Sequence, residues 1–305
     1  MSIKHPAKIS LLLPTRDRPH LLRRLFQSLT VHTAEPEHVE IILRVDDDDS
    51  ESRGLRAGAI DIVEIVGPRA TMGAYNTECL QRATGDIMVL MNDDLVVRTP
   101  WWDNRIRDFT RTISDGIFLA YPEDMESRGK MCTFPILSRR TCEILADPYP
   151  MGYDALHIDQ HLYDVFLRLR HMGHNRMFFL SEVIFEHAHF VDGALRPDAE
   201  YGHKNRYLDS MVFIALRHQR QVSARRLFSA IEHTPLPALP APQPPATPPS
   251  DLLTAMGRYF RVFIMDHGLP FSQRLLLYIG FTKYFAAMKS GMGFLKGKFY
   301  TIYGG

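Results

Sequence analysis

The sequence predicts an α/β fold built on a mostly parallel sheet, and three observations carry that prediction. Short apolar runs alternate with stretches of helical periodicity. Ile9–Leu13 and Ile87–Met91 are almost wholly apolar, as strands covered on both faces require. Polar clusters fall directly after them, where open α/β sheets keep their ligand crevice.

Taken in order, Ile9–Leu13 is the first strand and stops at Pro14. Leu21, Leu22, Leu25, Phe26 and Leu29 then recur at helical spacing behind Pro19, which suits a first helical turn. Val39–Val45 is a second strand and runs into Asp46. Ile60–Val66 is a third, closed by Gly67-Pro68. Thr71–Ala83 reads as a helix and Ile87–Met91 as a fourth strand. Trp101–Ile113 reads as helical and Gly116–Tyr121 as another strand. The Trp101-Trp102 pair is expected in the core.

The chain has 305 residues and a formal net charge of +1, so no global basic field argues for nucleic-acid binding. Its three cysteines lack CxxC spacing, so neither a disulfide framework nor a cysteine zinc site is expected. No apolar run is long enough to span a bilayer and no signal peptide is seen, so a cytoplasmic location is expected. Residues 234–250 hold eight prolines and read as a linker. It divides a body, residues 1–233, from a tail, residues 251–305.

The densest chemistry lies at the strand ends. The run Ile87–Met91 leads into Asn92-Asp93-Asp94. Ionised carboxylates beside a buried strand are costly unless something cationic meets them. Mg2+ or Mn2+ would do so, since hard cations take carboxylate and phosphate oxygens; a solvated Asn-Asp turn is the plainer alternative. Asp46 heads a run of four acids and can accept hydrogen bonds from a base or ribose; a solvated loop is the alternative. Thr15-Arg16-Asp17-Arg18 follows the first strand, and Arg16 and Arg18 can stack on a base or pair with a diphosphate. Gly73 and Asn76 lie near a helix start at the same edge, where Gly73 would permit close approach of a ligand. His187 and His189 are two apart and share a face if the segment is a strand.

Together the segments ISLLLPTRDRPHLLRRLFQSL, RVDDDDS, GAYNTECLQRATGDIMVLMNDDL and FPILSRRTCEIL, over residues 8 to 190, resemble the inverting glycosyltransferases of the GT-A fold, in the large family-2 group. That resemblance implies a GT-A type sheet and transfer of a sugar, with inversion, from a nucleotide-sugar donor, UDP-sugar by default. It implies that Pro14, Thr15, Arg16, Arg18, Asp46, Gly73, Asn76, Asn92 and Asp93 line the donor site. It implies that Asp94 binds a divalent metal, Mn2+ or Mg2+, completed by His187 or His189. Asn92 departs from the family's DxD-type motif at its first position. The segment DQHLYDVFLRLRHMG matches the family's acidic helix start and implies Asp159 as general base, with Asp154 second.

The tail sets seven Lys and Arg against two Asp, amid many aromatics. Packing back on the body is the first expectation, docking to a partner or second copy the next, and contact with a membrane surface the third. The acceptor, whether glycan, lipid-linked or protein, has no signature. A sugar-phosphate nucleotidyltransferase would need a Gly-rich loop where PTRDRP stands, and a non-catalytic nucleotide-binding module would not need Asp94, Asp159 and His187.

Overall fold

The computed structural model describes residues 6–188, 206–241 and 243–290. Eight strands form one sheet: β1 (Ile9–Thr15), β2 (Val39–Asp46), β3 (Asp61–Gly67), β4 (Ile87–Leu90), β5 (Leu95–Val97), β6 (Leu119–Glu123), β7 (Ile136–Ser138) and β8 (Met177–His187). Their order is β3-β2-β1-β4-β7-β6-β8-β5. The pairs β1–β2, β2–β3, β1–β4 and β6–β8 are parallel, and β7 and β5 run antiparallel to their neighbours. Every residue of β1 and β2 is buried, including the charged Glu40, Arg44 and Asp46 of β2, each of which has an ionic partner.

The helices are α1 (Pro19–His32), α2 (Met72–Arg82), α3 (Trp102–Arg111), α4 (Arg139–Leu145) and α5 (Ile158–His171). Then come α6 (Arg206–Ala215), α7 (Arg217–Ile231), α8 (Leu252–Tyr259) and α9 (Phe271–Lys289). Local chemistry sets their starts. Pro19 occupies the first turn of α1, Thr71 accepts from the Ala74 amide to cap α2, and Ser138 accepts from the Thr141 amide to cap α4.

Topology fixes where the site must lie. After β1 the chain moves outward to β2 and β3, then returns to the other side of β1 as β4. The crevice between the carboxyl ends of β1 and β4 is therefore the switch point of the sheet. Because β7 runs antiparallel to both β4 and β6, β6 is parallel to β4, and β8 is parallel to β6. The carboxyl ends of β1, β2, β4, β6 and β8 therefore share one edge.

Among the described residues of 234–250 there is no helix or strand, in keeping with their prolines, and this segment touches the body: the Ala246 amide donates to the Met211 carbonyl and Arg226 donates to the Pro237 carbonyl. The tail packs back. Tyr259, Phe263, Phe281 and Phe285 join the same buried cluster as Phe166 and Phe213. Asp266 pairs with Arg168 at 2.8 Å, and Arg168 and Arg220 converge on Asp164 at 2.6 and 2.9 Å. These charges are buried, so each depends on its partners. No helix among the described residues is long and apolar enough to cross a membrane. Trp102 is fully buried edge-on to Phe185, as expected, whereas Trp101 is two-thirds exposed.

Candidate active site

The loop after β1 and the end of β4 are tied through Asp93. Its carboxylate accepts from Thr15 Oγ1 at 2.8 Å and Arg18 Nη1 at 3.0 Å. Burial raises the Asp93 carboxyl above its usual range, against the pull of Arg18. Asp93 thus ties the segment after β1 to the end of β4, with one hydrogen bond on each of its oxygens.

Asp46 is likewise buried and engaged. It accepts from Tyr75 Oη at 2.6 Å, from Arg44 Nη1 at 3.2 Å and from Arg16 Nη1 at 2.5 Å. Arg16 also binds Asp48 through two hydrogen bonds of 2.8 Å, and Asp48 and Asp46 together hold its guanidinium above the ordinary arginine range. What Asp46 anchors is therefore Arg16, at the mouth of the crevice. Pro14 pairs opposite Arg44 in β1, which puts Thr15 at the strand's last position.

Gly73 lies in the first turn of α2. A Cβ there would come within 2.1 Å of the Pro150 carbonyl oxygen, so the close approach this glycine permits is to the chain itself. The Gly73 and Met72 amides donate to the Tyr153 and Asp154 carbonyls, fixing α2 against the segment that leads into α5. Asn76 is buried on α2, and its Oδ1 has no hydrogen-bond partner among the described residues. Asn92 is half-buried between β4 and Asp93.

Asp94 and His187 meet across the antiparallel β5–β8 pair, where Leu95 stands opposite His187. Nε2 of His187 is 3.3 Å from Oδ1 of Asp94. The backbone here is pinned twice: the Ala188 amide and Arg24 Nη2 both donate to the Asp94 carbonyl, at 2.9 and 3.3 Å. The His187 amide donates to the Asp124 carbonyl, and Glu126 Oε2 lies 3.6 Å from His187 Nδ1. Burial pulls the His187 imidazole down, but Asp94, Glu126 and Asp124 together carry it above its ordinary value. His189 lies outside the described residues.

Asp159 sits in the first turn of α5, packed beside Met131, Cys132, Gln160 and Tyr163. The Gln160 amide donates to its Oδ1 at 2.8 Å, and Cys132 Sγ donates to its carbonyl. Burial raises its carboxyl; among charges, His187 lowers it and Asp124 raises it. Asp154 lies in the preceding segment, whose amides at Asp154, Ala155 and Leu156 all donate to Asp209 of α6, at 2.7, 3.0 and 2.8 Å. His157, left-handed at φ 69°, then opens α5; it packs on Phe213 and Phe281, and burial pushes it down to about 4, so it stays neutral. The tail and α6 therefore fix the approach to Asp159.

A divalent ion can be tested against these residues. Among the described residues, no group of three or more His, Cys, Asp or Glu converges as an ion cage. Asp94 and His187 supply two converging donors, a carboxylate and an imidazole. Mg2+ and Mn2+ sites commonly take few protein ligands and draw the rest from substrate phosphates and water, so the pair fits an open site.

Tyr75, Arg24, Asp124, Glu126 and Asp209 were missed by sequence reading. Asp124 and Glu126 follow β6 at the same edge and obey the strand-end rule. Nothing in the sequence marks Asp209.

No protein-family model and no curated protein matches the chain. Solved structures do. Residues 1–349 of Staphylococcus aureus TarS in complex with UDP-GlcNAc align with a TM-score of 0.55 and 12% identity, over 92% of this chain and 91% of that one. A longer S. aureus TarS structure aligns at TM-score 0.51 and 11% identity, over 89% of this chain and 52% of that one. A Pyrobaculum calidifontis mannosyltransferase in complex with GDP-Man and Mn2+ aligns at 0.47 and 12%, over 98% and 83%. The fold is that of the GT-A type glycosyltransferases. At these identities the likeness concerns architecture alone.

Proposed function

We propose that this protein is a metal-dependent glycosyltransferase that moves a sugar from a nucleotide-sugar donor to an acceptor hydroxyl with inversion. The observation that carries the reading is the Asp94–His187 contact at the switch-point edge, with Asp159 close enough to feel its charge. UDP-sugar is the favoured donor class; TarS, which shares the fold, was solved with UDP-GlcNAc.

Asp159 is the general base. Its raised carboxyl holds a proton more tightly than an exposed aspartate, which suits it to take one from a hydroxyl. The acceptor oxygen forms a bond to the anomeric carbon while the bond from that carbon to the diphosphate oxygen breaks on the opposite face. The proton passes to Asp159 and the electron pair leaves with the diphosphate. A single displacement of this kind inverts configuration. Arg16 and Arg18, held by Asp46 and Asp93, place two guanidinium groups beside the crevice for the diphosphate and base. Asp94 and His187 would hold the divalent ion, which when bound neutralises charge on the departing diphosphate. Asp209 and Gly73 position the approach to Asp159 and touch no reacting atom.

Slow donor hydrolysis tests this without knowledge of the acceptor. A panel of nucleotide sugars incubated with Mn2+ or Mg2+ should yield one hydrolysed donor class. Hydrolysis of none, with the protein folded, would refute the reading.

A further inference from the structure

We propose that the groove between α5 and α9 seats an amphiphilic acceptor, with an anionic group at Arg170 and an apolar chain along Leu275, Leu276 and Ile279. This rests on the transferase reading of Asp159. The groove encloses about 370 Å³ between these residues and Tyr163.

Tyr163 stands between the groove and Asp159, because the same side chain lines the groove and packs beside Asp159. Asp159, Tyr163 and Arg170 stand at i, i+4 and i+11 of α5, which places them along one face. Eleven residues rise about 16 Å, so a hydroxyl at Asp159 and an anion at Arg170 belong to one elongated molecule.

The chemistry of the walls selects the class of molecule. Arg170 is exposed and has no carboxylate partner among the described residues. On α9, Phe271, Leu275 and Ile279 repeat every four residues and are 60%, 39% and 38% exposed. They form an apolar stripe continuous with the groove wall. Lys283 is exposed one further four-residue step along α9, and Arg274 lies over the Phe271 ring. Of the two tail acids, Asp266 is buried against Arg168. Apolar surface flanked by unneutralised cations complements a molecule carrying both a hydrocarbon chain and a negative charge. A purely polar glycan would leave the stripe bare to water.

The test is equilibrium dialysis of the full chain against dodecyl phosphate below its aggregation concentration, with inorganic phosphate and dodecyl maltoside in parallel. Expected is saturable binding of dodecyl phosphate and none of inorganic phosphate, with dodecyl maltoside weaker. Arg170→Ala should weaken dodecyl phosphate by about tenfold, and Ile279→Asp should abolish its binding. Donor hydrolysis should be unchanged in both variants. Arg170 is a surface side chain, so its variant stays informative even where Ile279→Asp perturbs folding. No saturable binding, or equal binding in both variants, overturns the assignment. Absent amphiphile binding, together with a dimer that dissociates in Ile279→Asp, would give the stripe to a second copy of the chain. If no nucleotide sugar is hydrolysed while dodecyl phosphate binding behaves as expected, the transferase reading fails and the groove stands.

Discussion

Nε2 of His187 lies 3.3 Å from Oδ1 of Asp94, and on its other side Nδ1 faces Glu126 Oε2 at 3.6 Å. A carboxylate behind one ring nitrogen favours a proton there and leaves the other free to donate a lone pair to a metal. Glu126→Gln should therefore raise the Mn2+ or Mg2+ concentration for half-maximal donor hydrolysis by roughly 10- to 100-fold. Maximal hydrolysis at saturating metal should change little. A metal titration that superimposes on wild type would remove Glu126 from this role.

Asp159→Asn keeps the shape of the crevice and removes the base. The transfer rate should fall roughly 10²- to 10⁴-fold, with donor affinity nearly unchanged. In the wild type, kcat/KM should rise with pH as Asp159 ionises, because only the carboxylate accepts a proton. The midpoint should lie above that of an ordinary aspartate, since burial raises this carboxyl. Undiminished transfer by Asp159→Asn would reassign the base, with Asp154 as the next residue to replace.

Asp209 gathers three consecutive backbone amides ahead of α5. Asp209→Ala leaves those amides without their carboxylate and loosens the segment that delivers Asp159. Expected is a lower kcat with donor KM held, and partial recovery in Asp209→Asn, which restores an acceptor oxygen. A change in thermal stability alone, with kcat intact, would make its role purely structural.

At the opposite end of the sheet, Glu40 is buried, and Lys8, Ser10 and Thr84 converge on it. Burial pushes its carboxyl up, but these partners outweigh that and hold it at about 2, below its ordinary 4.5. A depressed folded-state value stabilises the protein above the unfolded value and loses that contribution as pH falls toward 2. The shift corresponds to roughly 3 kcal/mol. Urea midpoints of wild type and Glu40→Gln should differ most at neutral pH and converge as pH drops from about 4.5 to 2. A pH-independent difference would show that Glu40 acts through packing alone.

The strand-end rule made much of the site legible. Thr15–Arg18, Asp46 and Asp93-Asp94 follow apolar runs, and the sheet brings all three clusters to one edge. What Asp46 and Asp93 do there was not legible, because their partners Tyr75, Arg44, Thr15 and Arg18 come from other elements. Asp124 escaped because β6 runs on through Pro122 to Glu123, past the point where its apolar run ends. The strands β5 and β7 have three residues each, too short for any periodicity to show. The grip of α6 and α9 on the approach to Asp159 depends on contacts remote in sequence. Proline content marked residues 234–250 as a linker but could not show that Pro237 and Ala246 bond to the body.

Thermal unfolding of the full chain with nucleoside diphosphates, each with and without Mn2+, bears most directly on a metal-dependent nucleotide-sugar site at Asp94 and His187. Expected is a rise in Tm with one nucleoside diphosphate that requires Mn2+ or Mg2+ and disappears in Asp94→Asn. Unchanged Tm with every nucleotide in the presence of both metals, or a rise that survives Asp94→Asn in full, would contradict it.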